Sequence, residues 1–134
     1  MSFLIGELSS RVVEAIMNAL PVEITFVDEK DVVRYFNNNG KPIYPRPETA
    51  LGRRVQECHS KSLPMVNRIL EDFRAGGRDS AVFWADRDGR MIYTRYLAVR
   101  DGEGGYVGCL EVVEDVTDIR RIEGERRVLD ERSC

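Results

Sequence analysis

Three β-rich segments follow one another near the C-terminal end of the chain, and tight polar turns separate them. The segments span residues 79–85, 90–99 and 106–114. The turns at 86–89 and 101–105 are rich in aspartate and glycine, the residues that hairpin turns favour. Turns this short join each strand to the next one directly. The pattern therefore predicts an antiparallel meander of three strands.

Helical and β-rich patterns alternate in the earlier part of the chain. Apolar residues recur at helical spacing over 4–20, and Pro21 then ends the pattern, which predicts an amphipathic helix. Residues 24–27 and 32–36 flank a polar turn and predict a hairpin. Residues 62–73 place five apolar side chains on one helical face and predict a second helix, which the glycines after it end.

Strands and helices in separate runs indicate an α+β domain with a five-stranded antiparallel sheet. Residues 82–84 and 96–99 are apolar at successive positions, whereas a sheet with one wet face would alternate. We therefore expect both sheet faces to be covered, the second by the N-terminal helix. The expected parts are an N-terminal helix over 1–20, a core domain over 21–117 and a C-terminal helix over 118–134.

Asp115 and Thr117 stand where the last strand meets a charged tail. Both are helix-capping residue types, so we expect one of them to hold the start of a helix that follows the strand without a loop. Such a layout suits a domain that transmits its state to the segments outside it. The tail fits a coiled coil and a solvated helix equally well. If the two ends pair between chains as a homodimer, the seam comprises Leu8, Val12, Ile16, Ile119 and Ile122.

Composition excludes several classes of function. The net charge of −3 gives no electrostatic reason to expect nucleic acid or an anionic membrane as a partner. A membrane span and a signal peptide are both missing from the sequence pattern, so we expect a cytoplasmic location. The three cysteines are widely spaced and form neither a disulfide framework nor a zinc motif. A nucleophile elbow and a phosphate-binding glycine loop are also missing, and we expect no catalysis.

Several short strings occur in an order that resembles one known family. They are Phe26-Val27-Asp28, residues 33–37, Leu51-Gly52-Arg53, the helix over 62–73 and Asp115-Val116-Thr117. Together, over residues 20–120, they resemble a PAS domain. Cys58-His59 ahead of the helix is similar to a subgroup of bacterial and archaeal PAS domains. The resemblance implies a sensory or interaction module whose sheet and helices enclose a cavity for haem, flavin or a metabolite, or enclose only side chains.

His59 is the only histidine of the chain. The resemblance places it near the proximal side of the pocket of haem-binding PAS proteins, and a neutral imidazole is a good axial ligand. Haem b is therefore the leading cofactor candidate, with His59 as the ligand of its iron. The alternative is a histidine that only forms hydrogen bonds near a helix start. A light-sensing flavin site is disfavoured because its Asn-Cys-Arg-Phe-Leu string does not occur.

Four further residues on the predicted strands are candidates for ligand binding. Trp84, Tyr93 and Tyr96 offer aromatic rings that either stack on a planar ligand or pack in the core. Arg95 stands among them and either pairs with a bound carboxylate, pairs with Asp86 or lies exposed at a strand edge. The resulting hypothesis is a cytoplasmic sensory domain that binds a small ligand or cofactor and signals through its flanking helices. The alternative is a ligand-free structural dimerisation module.

Overall fold

The computed structural model describes residues 6–58 and 63–129, and it confirms the predicted α+β class. Five strands form one antiparallel sheet with the order β2-β1-β5-β4-β3. Two α-helices and short 3-10 turns complete the described part. In chain order the helices and strands are α1 Ser10–Ala19, β1 Glu23–Asp28, β2 Val33–Phe36, α2 Leu63–Ala75, β3 Ser80–Arg87, β4 Arg90–Arg100 and β5 Tyr106–Asp115.

The predicted meander is present, because β3 pairs with β4 and β4 pairs with β5. Strand β1 pairs with β5 on one side and with β2 on the other, so the predicted N-terminal hairpin joins the same sheet. Gly108 allows β1 and β5 to approach closely at this junction. A Cβ atom at this position would lie 2.2 Å from the carbonyl oxygen of Val27. Only glycine fits here without a shift of the backbone.

The strand register divides the sheet into two faces. Thr25 pairs with Glu111, and Glu111 pairs with Tyr96, so these three side chains stand in one row on one face. We call this the inner face because α2 packs on it. Side chains alternate along each strand, so the neighbouring row, which includes Val112 and Arg95, lies on the opposite, outer face.

The hydrophobic core lies between the inner face and α2. Phe73 of α2 is fully buried in it, as the helical spacing of the apolar residues predicts. The helix ends in a Schellman motif, in which the Gly76 N–H donates to Phe73 O and the Gly77 N–H donates to Asp72 O. Gly76 has a φ of 78°, which glycine adopts without strain. The buried core comprises Val27, Val33, Val55, Val66, Ile69, Leu70, Phe73, Ala81 and Cys109.

Helix α1 is shorter than predicted and leaves Trp84 on the outer face uncovered. It begins after Ser9, whose hydroxyl caps it by accepting from the Val12 N–H at 3.2 Å. It ends before Leu20, which the following proline holds in an extended conformation. None of its residues is buried, and Trp84 on the outer face is 67% exposed. In a single chain the helix therefore covers less of the second face than expected, because the part around Trp84 stays open.

The predicted helix over 118–134 is not formed in its described part. Residues 119–121 make a single 3-10 turn, and no helix follows up to Leu129. Gly124 has a φ of 69°, which interrupts a helix, and Ile122 is 72% exposed. An isolated helix of this length is marginal in water without an apolar partner, which explains the difference. Across residues 6–58 and 63–129, no helix is long and apolar enough to cross a membrane.

Asp115 and Thr117 fasten the end of β5 to the start of β4 instead of capping a helix. The Thr117 hydroxyl accepts from the Met91 N–H at 2.9 Å and donates to the Asp115 carboxylate. That carboxylate also accepts from the Thr117 N–H at 3.0 Å and pairs with Arg90 at 2.8 Å. Thr117 is 1% exposed. The two residues close the sheet at the point where the tail leaves it.

Candidate functional site

A cavity of about 660 Å³ lies between the inner face and residues 44–58. Ligand pockets in proteins span roughly 300–1,000 Å³, so the cavity is large enough for a small molecule. Strands β1, β2, β4 and β5 supply its floor, and the irregular segment after β2 supplies its wall. The apolar and aromatic part of the lining comprises Val33, Phe36, Tyr44, Pro45, Pro47, Ala50, Val55 and Val113.

Arg46 holds the wall of the cavity against the sheet. Its guanidinium donates to Ile24 O at 2.7 Å and to Asn37 O at 2.6 Å, and it lies over the Phe36 ring at 5.2 Å. The prolines on either side of Arg46 prevent regular structure here, and the sequence predicts one or two short helical turns over residues 48–56. These turns are the 3-10 turns at 48–50 and 55–57. Arg46 thus uses its donors on backbone carbonyls.

Glu23 and the wall segment also bind each other directly. Glu23 is 2% exposed, and its carboxylate accepts hydrogen bonds from the backbone N–H groups of Ile43 and Tyr44. Buried carboxylates need such donors because an unpaired buried charge is costly. The fold itself therefore supplies the hydrogen-bond donors that the Glu23 carboxylate needs.

Glu111 differs from Glu23 because its charge has no such partner. It is half-buried at the middle of the inner face, and no salt bridge or backbone amide reaches its carboxylate within residues 6–58 and 63–129. Its neighbour is the Tyr96 hydroxyl. Burial raises the pKa of Tyr96 above the usual range, and the negative charge of Glu111 raises it further. The tyrosine therefore stays protonated and is able to donate.

Two other titratable groups close to the cavity are inert. Burial raises the pKa of the Cys109 thiol to about 12, and the charge of Glu111 adds to the effect. Burial also raises the pKa of Tyr106 to about 12. A thiol that stays protonated is a poor nucleophile and a poor metal ligand, so Cys109 acts as a small apolar core residue.

Of the four strand residues named as candidates for ligand binding, Tyr96 alone lines the cavity of about 660 Å³. Tyr96 faces the large cavity, whereas Trp84, Tyr93 and Arg95 project from the outer face. Neighbours such as Arg95 and Tyr96 point to opposite faces because side chains alternate along a strand.

On the outer face the three residues form a cluster of their own. Trp84 stacks on Tyr93 with ring centroids 6.2 Å apart, and the Arg95 guanidinium lies 4.4 Å from the centre of the Tyr93 ring. Arg95 pairs with Glu114 at 3.2 Å rather than with Asp86. A binding role for this cluster stays a prediction, but it is separate from the large cavity.

His59 lies outside the described residues. The residue before it, Cys58, lines the cavity and is exposed, with its sulfur 3.9 Å from Arg54 O. Among the residues that the structure describes, no group of three or more histidine, cysteine, aspartate or glutamate side chains is placed to hold a metal ion. The proposed role of His59 as a haem ligand therefore stays a prediction.

Three residues of the site were missed by sequence reasoning: Glu23, Arg46 and Glu111. Strand alternation contains the signal for Glu111, which lies two residues from Cys109 and two from Val113, both buried on the inner face. The signal for Arg46 is absent, because a segment rich in proline reads as an exposed loop.

Comparisons with known proteins agree with this geometry. A family model described as a PAS domain matches residues 13–117. The crystal structure of a C-terminal domain from Streptococcus mutans is 34% identical over 92% of this chain and 96% of its own, with a TM-score of 0.87. A sensory box sensor histidine kinase from Vibrio cholerae is similar at 15% identity, over 80% of this chain and 90% of its own, with a TM-score of 0.57.

The structure of VqmA bound to DPO is similar at 18% identity with a TM-score of 0.60, over 82% of this chain and 59% of the VqmA chain. At 15% and 18% identity the two likenesses concern the fold alone. A comparison with curated protein sequences found no match. The family model and the Streptococcus mutans structure both extend over most of the chain. The chain belongs to the PAS domain family.

Proposed function

We propose that this chain is a sensory PAS domain that binds a small molecule in the cavity of about 660 Å³ and passes its state to the flanking segments. The cavity carries the proposal, since it combines an apolar, partly aromatic wall with a few inward polar groups. Small-molecule sites in proteins share this composition. The similar fold of VqmA bound to DPO supports the proposal by analogy. We place the domain in the cytoplasm.

The Thr117 junction gives a physical route for the signal. The cavity floor includes Thr94 of β4 and Val113 of β5. Strand β4 begins, and strand β5 ends, at the cluster of Arg90, Asp115 and Thr117. A ligand that shifts these strands therefore acts on the point where the tail begins. The tail contributes no buried side chain in its described part, so little holds it against such a shift.

Haem is a second candidate, and the described lining fits it poorly. Of the usual axial-ligand side chains, this lining offers only the thiol of Cys58, which is exposed, and the hydroxyls of Tyr44 and Tyr96. The carboxylate of Glu111 faces the interior, where a porphyrin would remove its water. The haem proposal therefore depends on His59 alone, and we prefer a metabolite as the ligand.

The competing function is a ligand-free dimerisation module. Its support is the exposure of apolar side chains near both ends, with Ile16 44% and Ile119 53% exposed. A homodimer that covers these side chains is compatible with ligand binding as well. Deletion of residues 1–18 should give a monomer or an aggregating chain if these ends pair. A full-length protein that sediments as a monomer at high concentration would remove the dimer proposal.

Native mass spectrometry tests ligand binding. The wild-type protein is incubated with the small-molecule fraction of a cell extract, and the bound mass is read after desalting. A Thr25→Phe variant places a bulky ring in the cavity, whereas Val82→Phe places the same ring on the outer face. We expect a discrete added mass with the wild type and Val82→Phe and none with Thr25→Phe. An added mass that persists in Thr25→Phe, or no added mass in any of the three, counts against the proposal.

A further inference from the structure

The charged residues that line the cavity differ in whether the fold already provides their partners. Arg53 and Glu57 pair with each other at 2.9 Å. Glu23 accepts from two backbone N–H groups, and Arg46 donates to two backbone carbonyls. Glu111 is the exception, because in the described part of the chain neither a cation nor an amide reaches its carboxylate. The charge left for a ligand is therefore negative.

The position of Glu111 places this charge at the centre of the cavity floor. It stands between Thr25 and Tyr96 at the middle of the sheet, and its charge raises the pKa values of both Tyr96 and Cys109. A carboxylate in such surroundings is stabilised by a donor that carries positive charge. The Tyr96 hydroxyl supplies one neutral donor, which leaves the other acceptor positions of the carboxylate open.

We propose that the ligand of this cavity is a small molecule with an apolar or aromatic body and a protonated amine, or a similar cationic N–H group, that binds the Glu111 carboxylate. This proposal depends on the proposed function, because it names the class of ligand for the same cavity. The rings of Phe36 and Tyr44 and the side chains of Val33 and Val113 form the surface for the body.

The cavity also limits the shape and charge of the ligand. Beyond Glu111, towards α2, lies an apolar gap of about 30 Å³, which has room for little more than a water molecule. The cationic group therefore ends at Glu111. An anionic ligand is disfavoured, because Glu111 repels it, Arg46 is engaged with carbonyls, and Arg53 is paired with Glu57.

Three probes with one indole body test the proposal. Tryptamine is a cation, tryptophol is neutral and indole-3-propionate is an anion. Their dissociation constants are measured by ¹H–¹⁵N chemical-shift titration with wild type, Glu111→Gln and Glu114→Gln. The glutamine variants keep the shape of the side chain. Glu114 is the matched control, since it lies on the same strand but on the outer face.

For wild type we expect the dissociation constant of tryptamine to be at least about tenfold lower than that of tryptophol, because a hydrogen bond to a charged group contributes this much. Indole-3-propionate should bind most weakly. This preference should vanish in Glu111→Gln and persist in Glu114→Gln. Equal binding of the three probes, or a preference that survives in Glu111→Gln, overturns the inference and leaves the proposed function intact. Binding of none of them also overturns it, and the native-mass measurement then decides the proposed function separately.

Discussion

Strand β5 carries one glutamate on each face of the sheet, and the two glutamates differ in the partners that the fold supplies. Glu114 on the outer face pairs with Arg95 at 3.2 Å, whereas no salt bridge reaches Glu111 on the inner face in the described part of the chain. The outer face is half-open to solvent yet supplies a cation for its carboxylate. The inner face is more enclosed yet supplies none. The proposed cationic ligand would give Glu111 the partner that Arg95 gives Glu114.

The same contrast holds for the aromatic residues. Phe73 is fully buried against the inner face, while Trp84 on the outer face is 67% exposed. Stability is therefore concentrated on the inner side, around the cavity. The outer face contributes a stacked aromatic pair and an ion pair, both of which are accessible to water. Mutations on the two faces should thus separate folding from surface chemistry.

The haem prediction has the largest expected effect, because one substitution should remove an absorption band completely. If the cavity takes haem, His59→Ala should abolish the Soret band of protein reconstituted with hemin and leave the fold intact. Circular dichroism of the variant is the control for folding. A native-like spectrum in the variant would assign the iron to Cys58, Met65 or nonspecific binding. A parent protein that does not bind hemin would leave His59 with a hydrogen-bonding role.

Truncation of aromatic residues on the two faces should have unequal costs. Phe73→Ala should lower the free energy of unfolding by about 3–5 kcal/mol, because it leaves a cavity in the core. Trp84→Ala should lower it by about 1 kcal/mol or less, because the side chain is largely exposed and loses a stacking contact with Tyr93. Urea denaturation measures both values. Similar costs for the two variants would contradict the difference between the faces.

The Thr117 junction should have an intermediate effect. Thr117→Val keeps the shape of the buried side chain but leaves the half-buried Met91 N–H without its acceptor, so we expect a loss of about 1–3 kcal/mol. Thr49→Val is the matched control, since Thr49 is exposed in a 3-10 turn. Thermal denaturation compares the two. An unchanged melting temperature in Thr117→Val would show that this hydroxyl does not fasten the strand.

Acid should weaken the same junction. The hydrogen bond from Arg90, followed by those from Thr117, lowers the pKa of Asp115 to about 2 from a usual value of 3.8. A lowered pKa in the folded state stabilises the protein above the unfolded value, and this stability is lost as the pH falls from about 4 towards 2. Asp115→Asn should reduce the dependence of the melting temperature on pH in that range. Identical pH profiles for variant and wild type would count against it.

Much of the fold could be predicted because local patterns determine it. The short turns rich in aspartate and glycine fix β3, β4 and β5 as a meander, and the spacing of apolar residues in α2 fixes its buried face. The tail could not be predicted in the same way. Its apolar stripe fits a helix, but none of its side chains over residues 118–129 is buried, so helix formation there depends on packing that the pattern does not contain.

The site was harder to predict than the fold, for a reason that Arg95 and Tyr96 illustrate. They are neighbours in sequence, yet one lies on the outer face and the other lines the cavity. Trp84 and Tyr93 were predicted as ligand-binding residues because they are aromatic. Glu111 lies at the centre of the inner face because β5 pairs with both β1 and β4. A one-residue shift in the register would exchange the two faces, and sequence reasoning did not fix that register.

Methyl-group NMR tests the central claim most directly, that the inner face is the ligand site and the outer face is not. Methyl spectra are recorded with and without the small-molecule fraction of a cell extract. The inner methyl groups belong to Thr25, Val33 and Val113, and the outer ones to Val82 and Val112. The account predicts shifts that are confined to the inner set and lost in Thr25→Phe. Shifts confined to the outer set, or no shift in either set, would contradict it.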